Sequence, residues 1–323
     1  LGEGRDEGKI GKMDFLSRSL SLARYVGNRL RGLPVKKVLV LEGGGMRGIF
    51  LTGVLQAFKD RGYFPFELII GSSAGALTGT AFAADQICLA RDAFFKELLS
   101  GQFIRMRNIL RPEKHILNLD WMVENIVMGS DPLNLKRLRR TACPVLITAT
   151  NVSEHEVPET IYLSTKKNNI PIALKATAAI PFFYRDFVHY KDYLLLDGGL
   201  LDPVPYKKAL AMGYREEEIL VILTRHRGYR KKRESFWISR LYENYYKDFK
   251  YRFLLLSMHE RYQMYNRVIS NLETCYTGID VIYPPEDFAV NRLTRSEEKI
   301  LTGFEQGVDA AKKYLKADRP RSS

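Results

Sequence analysis

Residues 36–84 read KKVLVLEGGGMRGIFLTGVLQAFKDRGYFPFELIIGSSAGALTGTAFAA, and their alternation decides the fold. KKVLVL is a short apolar run of the kind that forms a strand buried on both faces. Glycines follow at Gly43, Gly44 and Gly45. Ile49, Phe50, Val54, Leu55 and Phe58 then share one helical face, and Gly62 stands where a helix C-terminus favours glycine. A second apolar run at 66–70 enters GSSAG, and 74–84 reads as a tightly packed helix of small residues. Strand, glycine turn, helix, strand, sharp turn, helix: this order predicts an α/β fold with a largely parallel central sheet flanked by helices. Further strands are expected at 143–150, 160–164, 193–196 and 219–223, and residues 87–140 read as helical with basic clusters.

Outward from this core, composition shifts near Thr224, where RHRGYRKKRE suits an exposed loop. The expected organisation is an N-terminal extension at 1–34, an α/β domain at 35–224 and a helical C-terminal region at 225–323. Within the last, 235–271 reads as one long aromatic-rich helical segment. Thr294 and Glu297 form a T-x-x-E capping signature. The helix they open is expected to bury Ile300, Phe304, Val308, Ala311 and Leu315. In the extension, Leu16, Leu20, Ala23, Val26 and Leu30 recur at helical spacing. A helix packed on the body is preferred there over one lying on a membrane. Residues 1–12 are set aside as an upstream extension, and 318–323 read as a short disordered tail.

The chain has 323 residues with 46% hydrophobic content, ample for a core, which excludes global disorder. No stretch approaches ~20 uninterrupted apolar residues, which excludes a membrane-spanning helix. Cys88, Cys143 and Cys275 are far apart with no C-x-x-C, so neither a disulfide framework nor a zinc site is expected. A reducing, cytoplasmic setting follows as the expectation. Fifty Lys and Arg against 37 Asp and Glu leave a net charge of +13, which implies an acidic partner surface.

Three motifs carry chemistry. Gly71-Ser72-Ser73-Ala74-Gly75 fits G-x-S-x-G, in which a tight strand-to-helix turn projects a serine hydroxyl and glycines relieve crowding on either side. The spacing selects Ser73, not Ser72, as nucleophile. The helix behind it turns its partial positive end toward a developing oxyanion. Gly43-Gly44-Gly45-Met46-Arg47-Gly48 also closes a strand and opens a helix, and its bare amides suit an oxyanion hole. Gly43, Gly45 and Gly48 meet the dinucleotide register G-x-G-x-x-G as well. That reading wants an acidic residue at the end of the next strand, and Glu67 stands at its start. The third motif, Asp197-Gly198-Gly199, follows an apolar strand and supplies a carboxylate that a direct bond to a serine hydroxyl would make a base. A plain Asx turn is the structural alternative.

GGGMRG, GSSAGA and DGGL, in that order, resemble the patatin-like phospholipase family, and its bacterial members more than its plant ones. The resemblance runs from about Lys36 to Thr224. It includes the small-residue helix and proline of ATAAIPFF at 176–183. It implies a lipid acyl hydrolase of phospholipase A or lysophospholipase type, with a Ser73–Asp197 dyad. By the same matching Gly43, Gly44 and Gly45 hold the oxyanion, while Arg47, Gly71, Gly75 and Gly198 support the site.

Two rival readings remain at this level. Ser73, Asp197 and then His226 or His259 fit the chain order of a Ser-His-Asp triad esterase, although neither histidine has a turn signature. A non-catalytic lipid- or acyl-binding protein on the same scaffold is the other. No cofactor is expected, and no His and carboxylate cluster has metal-ligand spacing. Between Arg225 and Arg252 lie ten Lys or Arg against three acids, interleaved with aromatics such as Phe236, Trp237, Tyr242 and Tyr246. This suits peripheral contact with an anionic membrane by a protein whose substrate is a lipid ester. A helix with half its aromatics in the core explains the same pattern. Nucleic acid is not expected as a partner, since no recognised module is present.

Overall fold

The computed structural model describes residues 36–111, 113–152, 157–247 and 251–317. The extension at 1–34 with its amphipathic segment, and the tail at 318–323, lie outside the described residues. Eight strands are described: β1 Val38–Leu41, β2 Leu68–Gly71, β3 Val145–Asn151, β4 Glu159–Ser164, β5 Val188–Tyr190, β6 Tyr193–Asp197, β7 Ile219–Ile222 and β8 Asp280–Ile282. Between and after them come helices α1 Gly48–Asp60, α2 Ala74–Ala83, α3 Ile87–Asp92, α4 Leu119–Met122, α5 Leu135–Arg140 and α6 Ile170–Thr177. The series continues with α7 Tyr206–Ala211, α8 Phe236–Tyr245, α9 Arg252–Thr274 and α10 Glu297–Ala317.

β1 is buried along its whole length because it lies between two parallel neighbours, β2 and β7, with helices on both faces. β3 and β8 extend the parallel set on either side. β4, β5 and β6 add an antiparallel wing to the largely parallel sheet that the strand–helix alternation predicts. Helix α1 ends as its sequence indicates: Gly62 has φ +61° and its amide donates to the Lys59 carbonyl at 2.9 Å.

The described parts of the region after Thr224 are mainly helical, as expected, and add one short strand. β8 pairs with β7, so the sheet continues across that point. Its three residues are too few to show a period-two pattern, and the same holds for β5. The expected single helical segment at 235–271 is α8 and α9, with 248–250 undescribed between them. The start of α10 also differs. Ser296, not Thr294, caps it, its Oγ accepting from the Lys299 amide at 3.4 Å; Thr294 Oγ1 accepts from the Asn291 amide in the preceding turn. Ile300, Ala311 and Leu315 of α10 are buried, and Phe304 and Val308 half-buried. Gly53 of α1 and Gly307 of α10 let the two helices approach with 3.1 Å between where a Cβ would stand and the opposing Cα.

Candidate active site

The site arises where two strands share one edge of a third. β4 takes one edge of β3 from Leu146 to Asn151. On the other edge β2 pairs as far as Gly71 opposite Ile147, and β6 takes over with Asp197 opposite Ala149. β2 runs parallel to β3 and β6 antiparallel, so their C-terminal ends meet head-on beside Thr148. One strand delivers the serine turn and the other delivers the aspartate. Two buried threonines of β3 fasten the junction: Thr148 Oγ1 donates to the Gly71 carbonyl at 3.1 Å and Thr150 Oγ1 to the Asp197 carbonyl at 2.9 Å.

Ser73 occupies a backbone conformation, φ +50° and ψ −124°, that non-glycine residues rarely adopt. The surroundings over-determine it. Its amide donates to Thr177 Oγ1 at 2.8 Å, and α2 begins at the next residue. Gly75 is required by close approach, since a Cβ there would stand 2.4 Å from the Leu41 carbonyl oxygen. Gly71 ends β2 directly before the turn, and Gly198 follows the aspartate against Thr148. Ser72 is fully buried.

Asp197 Oδ1 accepts from the Gly199 amide at 2.7 Å. Burial pushes its carboxyl up to about 6; the Ser73 hydroxyl, the Gly199 amide, Arg292 and Arg261 pull the other way. Oδ2 makes no hydrogen bond of ordinary geometry among the described residues, which leaves it open to take a proton. Among the described residues, no histidine contributes to this environment. His226 Nδ1 lies 2.9 Å from the Arg227 carbonyl, and His259 lies 3.7 Å from Glu243; neither lines the cavities described below.

The glycine loop follows β1 on the neighbouring strand. Of the three amides expected to face an oxyanion, that of Gly43 donates to the Pro203 carbonyl at 3.1 Å. Among the described residues, no carbonyl or side chain accepts from the amides of Gly44, Gly45 or Ala74. Arg47 is buried at the end of the loop, its Nε donating to Thr224 Oγ1 at 3.3 Å and its Nη1 unpartnered. Burial, with Arg225 and Arg292 nearby, lowers its guanidinium to about 9.

Two cavities open on Ser73. The apolar one is walled by such residues as Leu77, Phe94, Phe103, Met122, Ile126 and Leu174. Two walls include widened helical turns at Ala93–Glu97 and Val123–Val127, a distortion that recurs at functional sites. The polar one holds Asp197, Glu42 and a set of arginines and lysine. The two share Gly45, Ser73, Ile180 and Arg292. Thr148 and Thr150 stand outside every motif, and their one trace in the sequence is that they alternate within the apolar run of β3. Thr177 lies within ATAAIPFF, and Arg225 and Lys231 within the basic stretch, without a mark that singles them out.

A sequence model of patatin-like phospholipases matches residues 39–210, more than half of the chain. The uncharacterized protein YjjU of Escherichia coli K12 is 33% identical over 183 residues, 56% of this chain and 50% of YjjU. Lysophospholipase NTE1 of Candida glabrata is 40% identical over 74 residues, 23% of this chain and 4% of NTE1. The chain thus spans about half the length of the first curated relatives it matches, or less. The crystal structure of VipD from Legionella pneumophila shares the fold, with a TM-score of 0.51 at 20% identity over 88% of this chain and 67% of that one.

Proposed function

This chain belongs to the patatin-like phospholipase family, and on that premise we propose that it is a serine acyl hydrolase cleaving carboxylic esters of lipids, of phospholipase A or lysophospholipase type. One observation carries the reading: the turn bearing Ser73 and the end of β6 bearing Asp197 meet beside Thr148, and Ser73 lines an apolar cavity.

In the proposed reaction the acyl chain lies in the apolar cavity and the ester carbonyl stands over Ser73. Oγ of Ser73 attacks the carbonyl carbon while Asp197 takes the hydroxyl proton on Oδ2. The amides of Gly44 and Gly45, with the first amide of α2 at Ala74, are free to bind the oxyanion. Collapse breaks the ester C–O bond, and the proton held by Asp197 passes to the departing alcohol. Water then attacks the acyl-serine and gives its proton to Asp197. Ser73 leaves with that proton, and a free fatty acid is released. A carboxyl raised to about 6 by burial is a stronger base than an exposed aspartate and still ionised at neutral pH. Lysophospholipase NTE1 is named for a reaction of this class, which supports the substrate class.

Access to the lipid falls to α8 in this proposal. Its Tyr242 is buried, while Phe236 and Trp237 are 72% and 79% exposed and pack edge-to-face. An exposed aromatic pair beside a basic stretch suits peripheral contact with an anionic membrane surface. Among the described residues no helix is long and apolar enough to cross a membrane. Fatty-acid release from phospholipid vesicles tests the function: the protein releases fatty acid and Ser73→Ala does not. Lipid binding without release by the folded wild-type protein contradicts it.

A further inference from the structure

The polar cavity is not explained by ester cleavage, which needs only Ser73, Asp197 and the amides. Its wall carries Arg47, Arg225, Lys231, Arg261 and Arg292 against the carboxylates of Glu42 and Asp197. Glu42 is buried and already engaged: Oε1 accepts from the Tyr265 hydroxyl at 2.9 Å, and Oε2 from the Thr224 hydroxyl at 3.0 Å. Arg261 pairs with Glu234. Among the described residues, no carboxylate pairs with Arg225, Lys231 or Arg292. Arg225 and Lys231 rest on the rings of Tyr229 and Tyr265 at 4.3 and 5.8 Å. Among the described residues, two buried donors, Arg47 Nη1 and Arg261 Nε, have no acceptor.

Unpartnered buried donors and like charges held together are costly unless an anion joins them. The strain registers on Lys231, whose ammonium is pushed down to about 6 by burial and then by Arg261 and Arg292. An anion in the cavity would reverse each of these effects, restoring the lysine charge and supplying acceptors to the arginines. Arg225, Lys231, Arg261 and Arg292, though not Arg47, lie beyond the stretch that matches the family, so most of this cationic wall comes from the C-terminal part of the chain. The cavity adjoins the apolar one through Ser73 and Arg292. A lipid with its acyl chain in one and its ester at Ser73 therefore directs its headgroup into the other.

We propose that the polar cavity is a phosphate subsite and that the enzyme prefers lipid esters with a small anionic phosphate headgroup to zwitterionic or uncharged ones. A phosphate accepts charge-assisted hydrogen bonds from several guanidinium groups at once. A choline group would bring a fixed positive charge against the same wall. The inference rests on the acyl-hydrolase reading above.

The test compares kcat/KM of the full chain on monomeric dihexanoyl phosphatidic acid, dihexanoyl phosphatidylcholine and p-nitrophenyl hexanoate. Working below micelle formation removes any preference for a charged surface. Phosphatidic acid is expected to exceed phosphatidylcholine by about tenfold or more, the scale of one charge-assisted contact. Lys231→Gln and Arg292→Gln are expected to erode that ratio mainly through KM, and Lys231→Arg to retain it. Inorganic phosphate should compete with phosphatidic acid in the wild type and less well in Lys231→Gln. Hydrolysis of all three substrates with a ratio near one overturns the subsite while leaving the hydrolase reading intact. Competition by phosphate without any headgroup preference also overturns it, leaving only an anion site. Turnover of none of the three substrates by the folded wild type overturns the hydrolase reading itself.

Discussion

The two cavities that meet at Ser73 are built on opposite principles. The apolar one is walled almost wholly by the part of the chain before residue 181, with Leu77 of α2, Leu89 of α3, Met122 of α4 and Leu174 of α6 joined by Phe94 and Phe103 from the turns between helices. The polar one takes its cations mostly from after residue 224, on a loop, on α9 and on the segment before α10. An apolar wall is tolerant: many side chains of similar volume fill it, and burial holds them there. A cationic wall is costly to assemble and needs a ligand to be comfortable. The difference teaches that an apolar cavity can be a by-product of how the core closes, while a charged wall calls for a functional reason.

The largest effects should fall where the cavities touch. Ser73→Ala removes the proposed nucleophile and should lower fatty-acid release by about 10^4-fold or more. Asp197→Asn cannot take the proton and should lose between about 10^2- and 10^4-fold. If Asp197→Asn keeps wild-type rates, the contact between the cavities is not where chemistry happens.

The apolar side is sharpened by filling it. Leu77, in the first turns of α2, lines the cavity beside Ser73. Leu77→Trp should lower the ratio of long-chain to short-chain hydrolysis about tenfold or more, since pocket contacts of even one methylene discriminate by this order. An equal loss on both substrates would place the acyl chain elsewhere.

The polar side shows itself through pH. In the proposed reaction Asp197 acts as carboxylate, and its acid form prevails below about 6. kcat/KM should therefore fall as the pH drops through about 6, by about tenfold for each unit below it. Arg292 lowers the Asp197 pKa, so Arg292→Gln should move this acid limb to higher pH. An acid limb that stays in place would show that the cationic wall does not reach the carboxylate electrically. The smallest effect is expected farthest out: Trp237→Ser on α8 should weaken co-sedimentation with anionic vesicles by a few-fold and leave neutral vesicles little affected.

How much of this is visible in the sequence differs between the same two regions. The fold class follows from the alternation in residues 36–84, because apolar runs separated by glycine turns leave few other packings. Ser73, Asp197 and the glycine loop stand in compact motifs because a strand-to-helix turn needs small neighbours within a few residues. Thr148 and Thr150 have no such mark, and Thr177 stands within ATAAIPFF without being singled out by it. Their hydroxyls matter only because the register places them against Gly71, Asp197 and Ser73. Arg225, Lys231, Arg261 and Arg292 are scattered among many other basic residues, and only the folded chain separates those that face the cavity from those in solvent. The same folding shows why two amides, Gly44 and Gly45, remain free in the glycine loop where three were expected: the Gly43 amide is taken by the Pro203 carbonyl.

The account turns on an activated hydroxyl at one position, and covalent labelling reads that directly. The full chain is treated with a fluorophosphonate probe and the modified residue is located by peptide mass spectrometry. The expected result is a single adduct on Ser73, absent in Ser73→Ala, strongly slowed in Asp197→Asn and undiminished in His226→Ala and His259→Ala. An adduct on another serine, or loss of labelling in a folded histidine variant, would contradict the serine–aspartate pair.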